Sequence, residues 1–190
     1  MDFIESFVNK LYKLSPDALE KFKALFVEKK YKKGQKMVST GETPENFYII
    51  KSGIARSFFL DDNGKERIRS LFIPVSSFGS MSLINNQPSE HCYDCLSDCT
   101  VYELNYKGFT ELSEKSHEFA LFQIKLLQAS FIKVIGKIND LSSMSATERY
   151  LKLKEDIPNI DNLIQQYHIA AYLNISPVQL SRIRKELYSK

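Results

Sequence analysis

Apolar residues fall in two regimes along this chain: short runs broken by glycine turns in the first half, and helical spacing in the second. Gly34, Gly41, Gly53, Gly64 and Gly79 recur at intervals of 7 to 15 residues, the rhythm of successive β-turns. Residues 47–50 and 54–60 flank Lys51-Ser52-Gly53, and Asp61-Asp62-Asn63-Gly64 joins residues 54–60 to 67–73. Asn-Gly suits the positive φ angles of a tight hairpin. An antiparallel sheet or barrel is therefore expected between about residues 27 and 104. Ahead of it, Ser15 and Pro16 supply an N-cap and a first-turn proline to a short helix striped by Leu19, Phe22, Leu25 and Phe26.

Residues 117–141 contain neither proline nor a turn cluster. Within them Ala120, Ile124, Leu127, Phe131, Val134, Ile138 and Leu141 alternate at spacings of four and three. This heptad seam predicts a helix roughly 37 Å long that joins a homodimer, with Phe119, Phe122, Leu126 and Ile135 left to pack on the barrel. A core helix within one subunit is the competing reading. Ser142-Ser143-Met144-Ser145 interrupts the seam as a hinge, and Ser145-Ala146-Thr147-Glu148 has the form of a capping box. The last 45 residues lack glycine and predict helices over 146–155, 162–173 and 177–188. The expected division is an antiparallel sheet or barrel with N-terminal helices over 1–116, a dimerisation helix over 117–142 and a helix-turn-helix domain over 143–190.

The helix-turn-helix reading rests on residues 169–177. Ala170 permits a close helix crossing, Asn174 tolerates the left-handed turn, and Ser176 caps a helix that begins at Pro177. In that last helix Leu180, Ile183 and Leu187 share one side, while Val178, Ser181, Arg182 and Lys185 share the other and Arg184 flanks them. Arg182 is suited to a guanine edge, Lys185 and Arg184 to phosphates, the amides near Ser176 to a further phosphate, and Val178 to a thymine methyl. With Pro177 and Gln179 these form the candidate DNA-binding set. A solvated basic helix would carry the same charges; the capped second helix, the close crossing and the predicted dimer favour a reader of a two-fold site.

Composition adjusts this picture only slightly. The 43% hydrophobic content suffices for a core, and 26 basic against 23 acidic residues leave +3, so affinity for nucleic acid has to come from local clustering. The first ten residues include Asp2 and Glu5 with no signal-like apolar run, and no stretch reads as a membrane span, so a cytoplasmic protein without a membrane partner is expected. Three cysteines between Cys92 and Cys99 suit a reducing compartment. His91 with Cys92, Cys95 and Cys99 raises a metal site, but Cys92 and Cys95 would face opposite ways on a strand, so core packing and no metal are expected. His117 and His168 read as surface or helix-terminal residues. No H-E-x-x-H, P-loop, G-x-G-x-x-G or G-x-S-x-G motif occurs, and neither catalysis nor a cofactor is expected.

Taken together, the glycine-punctuated strands, Phe78-Gly79-Ser80-Met81-Ser82-Leu83, Asn105-Tyr106-Lys107-Gly108-Phe109 and Leu180-Ser181-Arg182-Ile183-Arg184-Lys185 resemble the Crp-Fnr family of bacterial regulators. The likeness covers nearly the whole chain. It implies an α+β fold with an N-terminal antiparallel β-roll sensor domain over 1–116 like a cyclic-nucleotide-binding domain, a long dimerisation helix and an all-α helix-turn-helix domain with a reduced wing. It also implies double-stranded DNA, a second copy of the chain and RNA polymerase as partners, with an unidentified small-molecule effector. Arg182 and Ser176 match the family's recognition-helix arginine and helix-opening serine, whereas Pro177 and Val178 replace charged residues. The effector site departs further. Ser80 and Glu90 stand where cyclic-AMP binders have a glutamate and an arginine, and Val134 and Ile135 stand where polar residues meet the purine. Those four, with Gly79, Met81 and His91, are the pocket candidates, and cyclic-AMP binding of the usual kind is not expected. The alternative is a small-molecule-sensing β-barrel whose helical tail binds a protein, and beyond it a cupin-like metal enzyme, for which three histidines are too few.

Overall fold

The computed structural model describes residues 2–79 and 81–188. Helices α1 (Phe3–Asn9) and α2 (Pro16–Lys23) lead into strands β1 (Phe26–Tyr31), β2 (Lys36–Val38), β3 (Asn46–Ser52), β4 (Ala55–Leu60), β5 (Glu66–Phe72) and β6 (Ser77–Phe78). The short helix α3 (Ser82–Asn85) separates these from β7 (Cys92–Cys95) and β8 (Cys99–Asn105). Helices α4 (Tyr106–Lys115), α5 (His117–Ser143), α6 (Ala146–Asp156), α7 (Ile160–Leu163), α8 (Gln166–Leu173) and α9 (Pro177–Tyr188) follow.

The strands make two antiparallel four-stranded sheets, ordered β1-β8-β3-β6 and β2-β7-β4-β5. Lys51-Ser52-Gly53 therefore passes the chain from one sheet to the other, since β3 pairs with β6 and β8 while β4 pairs with β5 and β7. Between the sheets lies a core of Val38, Tyr48, Ile50, Phe78, Tyr93 and Val101 with Cys95 and Cys99. The β4–β5 hairpin forms as expected, but only Gly64 takes a positive φ (73°) and Asn63 does not. The Asp61 carboxylate explains this, because Oδ1 accepts the amides of Asn63 (3.1 Å) and Lys65 (3.0 Å) and so orders a wider loop. In the turn before β6, Val75 has φ 72°, a left-handed conformation that a β-branched side chain adopts only under strain.

Ser15 caps α2 as expected, yet the helix stops at Lys23 and Phe26 opens β1. A six-residue ladder with β8 outweighs one further helical turn, and Phe26 still meets Phe22 edge-on at 5.0 Å. Phe22 also packs on Phe109 and Phe122, so α2, α4 and the start of α5 cover the outer face of the first sheet. The second sheet carries the C-terminal helices on its outer face. Ile54 and Leu96 join Tyr150, Leu153, Ile160, Ile169, Leu173, Leu180 and Ile183 in one cluster. Ser145 and Glu148 form the expected capping box of α6. The helix expected over 162–173 divides into α7 and α8 because Ile164 turns extended (φ −136°, ψ 159°) to bury its side chain. No strand follows β8 among the described residues, so α6 runs to α7 without a β-wing.

Candidate nucleic-acid interface

Helices α8 and α9 meet through a three-residue turn. Asn174 adopts φ 56°, ψ 43°, and its amide reaches back to the carbonyls of Ala170 and Ala171. Ile175 donates to the Ala170 carbonyl at 3.0 Å. This closes α8 with the left-handed C-cap that asparagine tolerates. Ser176 then accepts the Gln179 amide on its Oγ at 3.1 Å, capping α9. Leu180 and Ile183 are buried and Leu187 packs beside them. Ser176, Pro177, Val178, Gln179, Ser181, Arg182 and Lys185 are exposed, giving α9 the two-sided character that its sequence indicates.

Arg184 is placed differently from its neighbours. It is half-buried and its Nη2 lies 3.3 Å from Asp161 Oδ1 on α7. Asp161 also accepts the Tyr150 hydroxyl at 2.7 Å, and Tyr150 is fully buried in the helical core. Burial and this carboxylate both push the Tyr150 phenol above its usual range. Arg184 therefore ties α9 to α7 and α6 within the domain, while the outward cations are Arg182 and Lys185.

The β-roll grips this domain through polar contacts that sequence spacing does not reveal. Arg67 on β5 donates from Nη1 to Asn174 Oδ1 at 2.7 Å, at the helix-turn-helix turn itself. Arg56 on β4 is 5% exposed. Its Nε donates to Asp94 Oδ1 at 2.7 Å and its Nη1 to Glu66 Oε2 at 2.5 Å. The same Nη1 lies 3.1 Å from His168 Nδ1, which has to accept and so leaves the proton on Nε2. His168, expected at the surface or at a helix terminus, lies in the first turn of α8 but is buried at the junction. Burial, then the Arg56 charge, lower its pKa from 6.5 to about 4. His117 does lie exposed, at the start of α5.

The expected ligand residues do not converge. Gly79, Met81 and Val134 line a cavity of about 250 Å³ between the roll and α5. A Cβ at Gly79 would sit 2.7 Å from Leu83 Cδ1 and 3.2 Å from Phe47 Cδ2, so a side chain there would push the Leu83 tip aside. Glu90 and His91 border a separate depression with Thr40, Phe59 and Leu60. Ile135 lines neither, and Ser80 lies outside the described residues. Sequence reasoning missed the cavity's cations, Arg69 on β5 and Lys133 on α5. A signal was present for the second: Phe119, Phe122, Leu126, Ser130 and Lys133 continue one helical stripe, so the face that packs on the roll turns polar where the cavity opens.

Along α5, Phe119, Phe122 and Leu126 are buried as expected. Ile135, expected to join them, is 39% exposed. Ala120 is half-buried, and Ile124, Leu127, Phe131, Val134, Ile138 and Leu141 are exposed, Phe131 by 67%. Length and a mean hydropathy of 1.4 over 18 residues would also let α5 cross a membrane, a feature not expected from the sequence. Cys92, Cys95 and Cys99 are free and buried, the last two between the sheets. Among the described residues no group of three or more His, Cys, Asp or Glu is placed to hold a metal.

Comparison with known proteins places this geometry. Residues 28–116 match the cyclic nucleotide-binding domain family. Over the chain as a whole, the structure superposes on FixK2 from Bradyrhizobium japonicum with a TM-score of 0.74 and 19% identity, covering 86% of this chain and 85% of that one. The chain has the Crp-Fnr fold. The cAMP-activated global transcriptional regulator Vfr of Pseudomonas aeruginosa is 24% identical over 143 residues, 73% of this chain and 67% of Vfr, which accords with the Crp-Fnr resemblance read from the sequence. A stretch of this chain is also similar to the cAMP-dependent protein kinase regulatory subunit of Eremothecium gossypii, 29% identical over 116 residues. That match takes in 61% of this chain and spans 23% of the kinase subunit's length.

Proposed function

We propose that the protein is a dimeric transcription regulator that reads an inverted-repeat DNA site through α9. The observation that carries this reading is the two-sided last helix, whose Leu180 and Ile183 are buried while Arg182 and Lys185 stand outward beside a capped, exposed N-terminus. Arg182 reads a guanine, Lys185 neutralises a phosphate, and the exposed heptad of α5 joins two copies so that two recognition helices enter major grooves about 34 Å apart. RNA polymerase is the further partner that the family likeness suggests. The sensor half acts through the hinge at residues 142–145, binding and not catalysing, and cyclic AMP is not its ligand because no carboxylate among the described residues lines the cavity to hold a ribose.

The test is fluorescence anisotropy with duplexes selected from a random library, alongside sedimentation to fix the oligomeric state. Selected sites should be inverted repeats, and affinity should fall steeply with added salt as counterions are released. Failure to bind any duplex in dilute buffer would overturn the reading. The alternative, a helical tail docking on a protein partner, predicts capture without salt-steep duplex binding.

A further inference from the structure

The cavity between the roll and α5 is walled by rings. Phe72 and Phe78 stack at 4.1 Å, and Phe78 and Tyr93 lie parallel at 5.7 Å. All three line it, with Phe47 and Phe109 beside them. Leu126, Leu127 and Val134 supply the opposite, aliphatic wall. Such a lining favours a flat apolar body, since ring stacking and area burial both act on it.

Its charges are one-sided. Arg69 reaches the cavity from the sheet and Lys133 from the helix, and among the described residues no Asp or Glu lines it. Neither cation has a carboxylate within ion-pair distance among the described residues. Other basic side chains of the roll differ: Arg56 and Arg67 are both paired with carboxylates. Two cations held on opposite walls of an apolar cleft, without counter-charge, attract an anion that bridges them.

Size narrows the class. A cavity of about 250 Å³ exceeds the roughly 150 Å³ that accepts benzene, so it admits one ring with a short side chain. From these observations we infer that the sensor cavity binds a small aryl carboxylate. The carboxylate lies between Arg69 and Lys133, and the ring lies against Phe72, Phe78 and Tyr93. Because the anion joins β5 to α5, it couples the roll to the long helix, and Leu127 and Val134 belong both to the cavity wall and to the exposed seam. This inference rests on the sensor half of the proposed regulator.

Titration calorimetry on the full chain with benzoate, phenylacetate and 3-phenylpropanoate, each against its amide, tests it. At least one acid should bind about tenfold or more tighter than its amide, as charge-assisted bonds to two cations require. Arg69→Gln and Lys133→Gln should each weaken binding of the acid more than that of its amide and so lower that preference, and cyclic AMP should bind more weakly than the preferred acid. Both side chains are exposed, so the variants should keep the wild-type unfolding temperature. Equal binding of acid and amide in every pair, an acid preference that survives both substitutions, or tighter binding of cyclic AMP would each overturn the inference. Duplex binding measured on the same samples separates the two readings: acid preference without DNA binding faults the regulator, and DNA binding without acid preference faults the ligand.

Discussion

Acidifying the protein from pH 7 to pH 5 should loosen the C-terminal helices from the β-roll, because His168 would have to take up a proton beside Arg56. In the folded chain burial and then that guanidinium hold its pKa at about 4 against an ordinary 6.5. Asp94 and Glu66 face the same group and offset part of the Arg56 charge, but both are already engaged by it. Between these pKa values the unfolded chain binds a proton that the folded chain refuses, so stability falls as pH drops from 6.5 toward 4 and is fully present above 6.5. The whole gap is worth roughly 3 kcal/mol, and the part crossed by pH 5 about 2 kcal/mol. The assay is a proton–carbon NMR titration of the three histidines, with the His168 signal identified by its loss in His168→Gln. Urea unfolding of both proteins at pH 7 and pH 5 supplies the energetics. Wild type should lose about 2 kcal/mol more than the variant over that interval. A His168 signal that titrates near 6.5, or equal losses in the two proteins, would refute the reasoning.

Arg182→Ala should cost about 1 to 3 kcal/mol on the preferred duplex and relax one base position, whereas Lys185→Ala should weaken all duplexes alike; competition anisotropy distinguishes them. Phe131→Glu places a charge in the middle of the exposed seam of α5 and should yield monomers by sedimentation with a wild-type circular dichroism spectrum; a persisting dimer would move the interface elsewhere. Leu180→Ala empties a fully buried position and should lower stability by about 2 to 5 kcal/mol in urea, without touching the outer face of α9.

Local chemistry was legible along the chain wherever one residue acts on its near neighbours. The caps at Ser15, Ser145 and Ser176, the left-handed Asn174 and the buried side of α9 follow from side-chain reach and helical period, and each needs no distant partner. The same period marked the exposed heptad of α5. What the tertiary structure alone decided is the company kept by groups far apart in sequence. Phe26 became a strand residue because β8 offered it a ladder, Arg184 turned inward to Asp161, and Arg56 from β4 met His168 from α8. Glu90 and His91 fell into one depression and Gly79 into another cavity, which Arg69 from the sheet and Lys133 from the helix both line. Periodicity reports which face of an element is buried, but electrostatic and packing partners are set by how the faces are brought together, and that depends on the sum of many contacts spread over the whole chain.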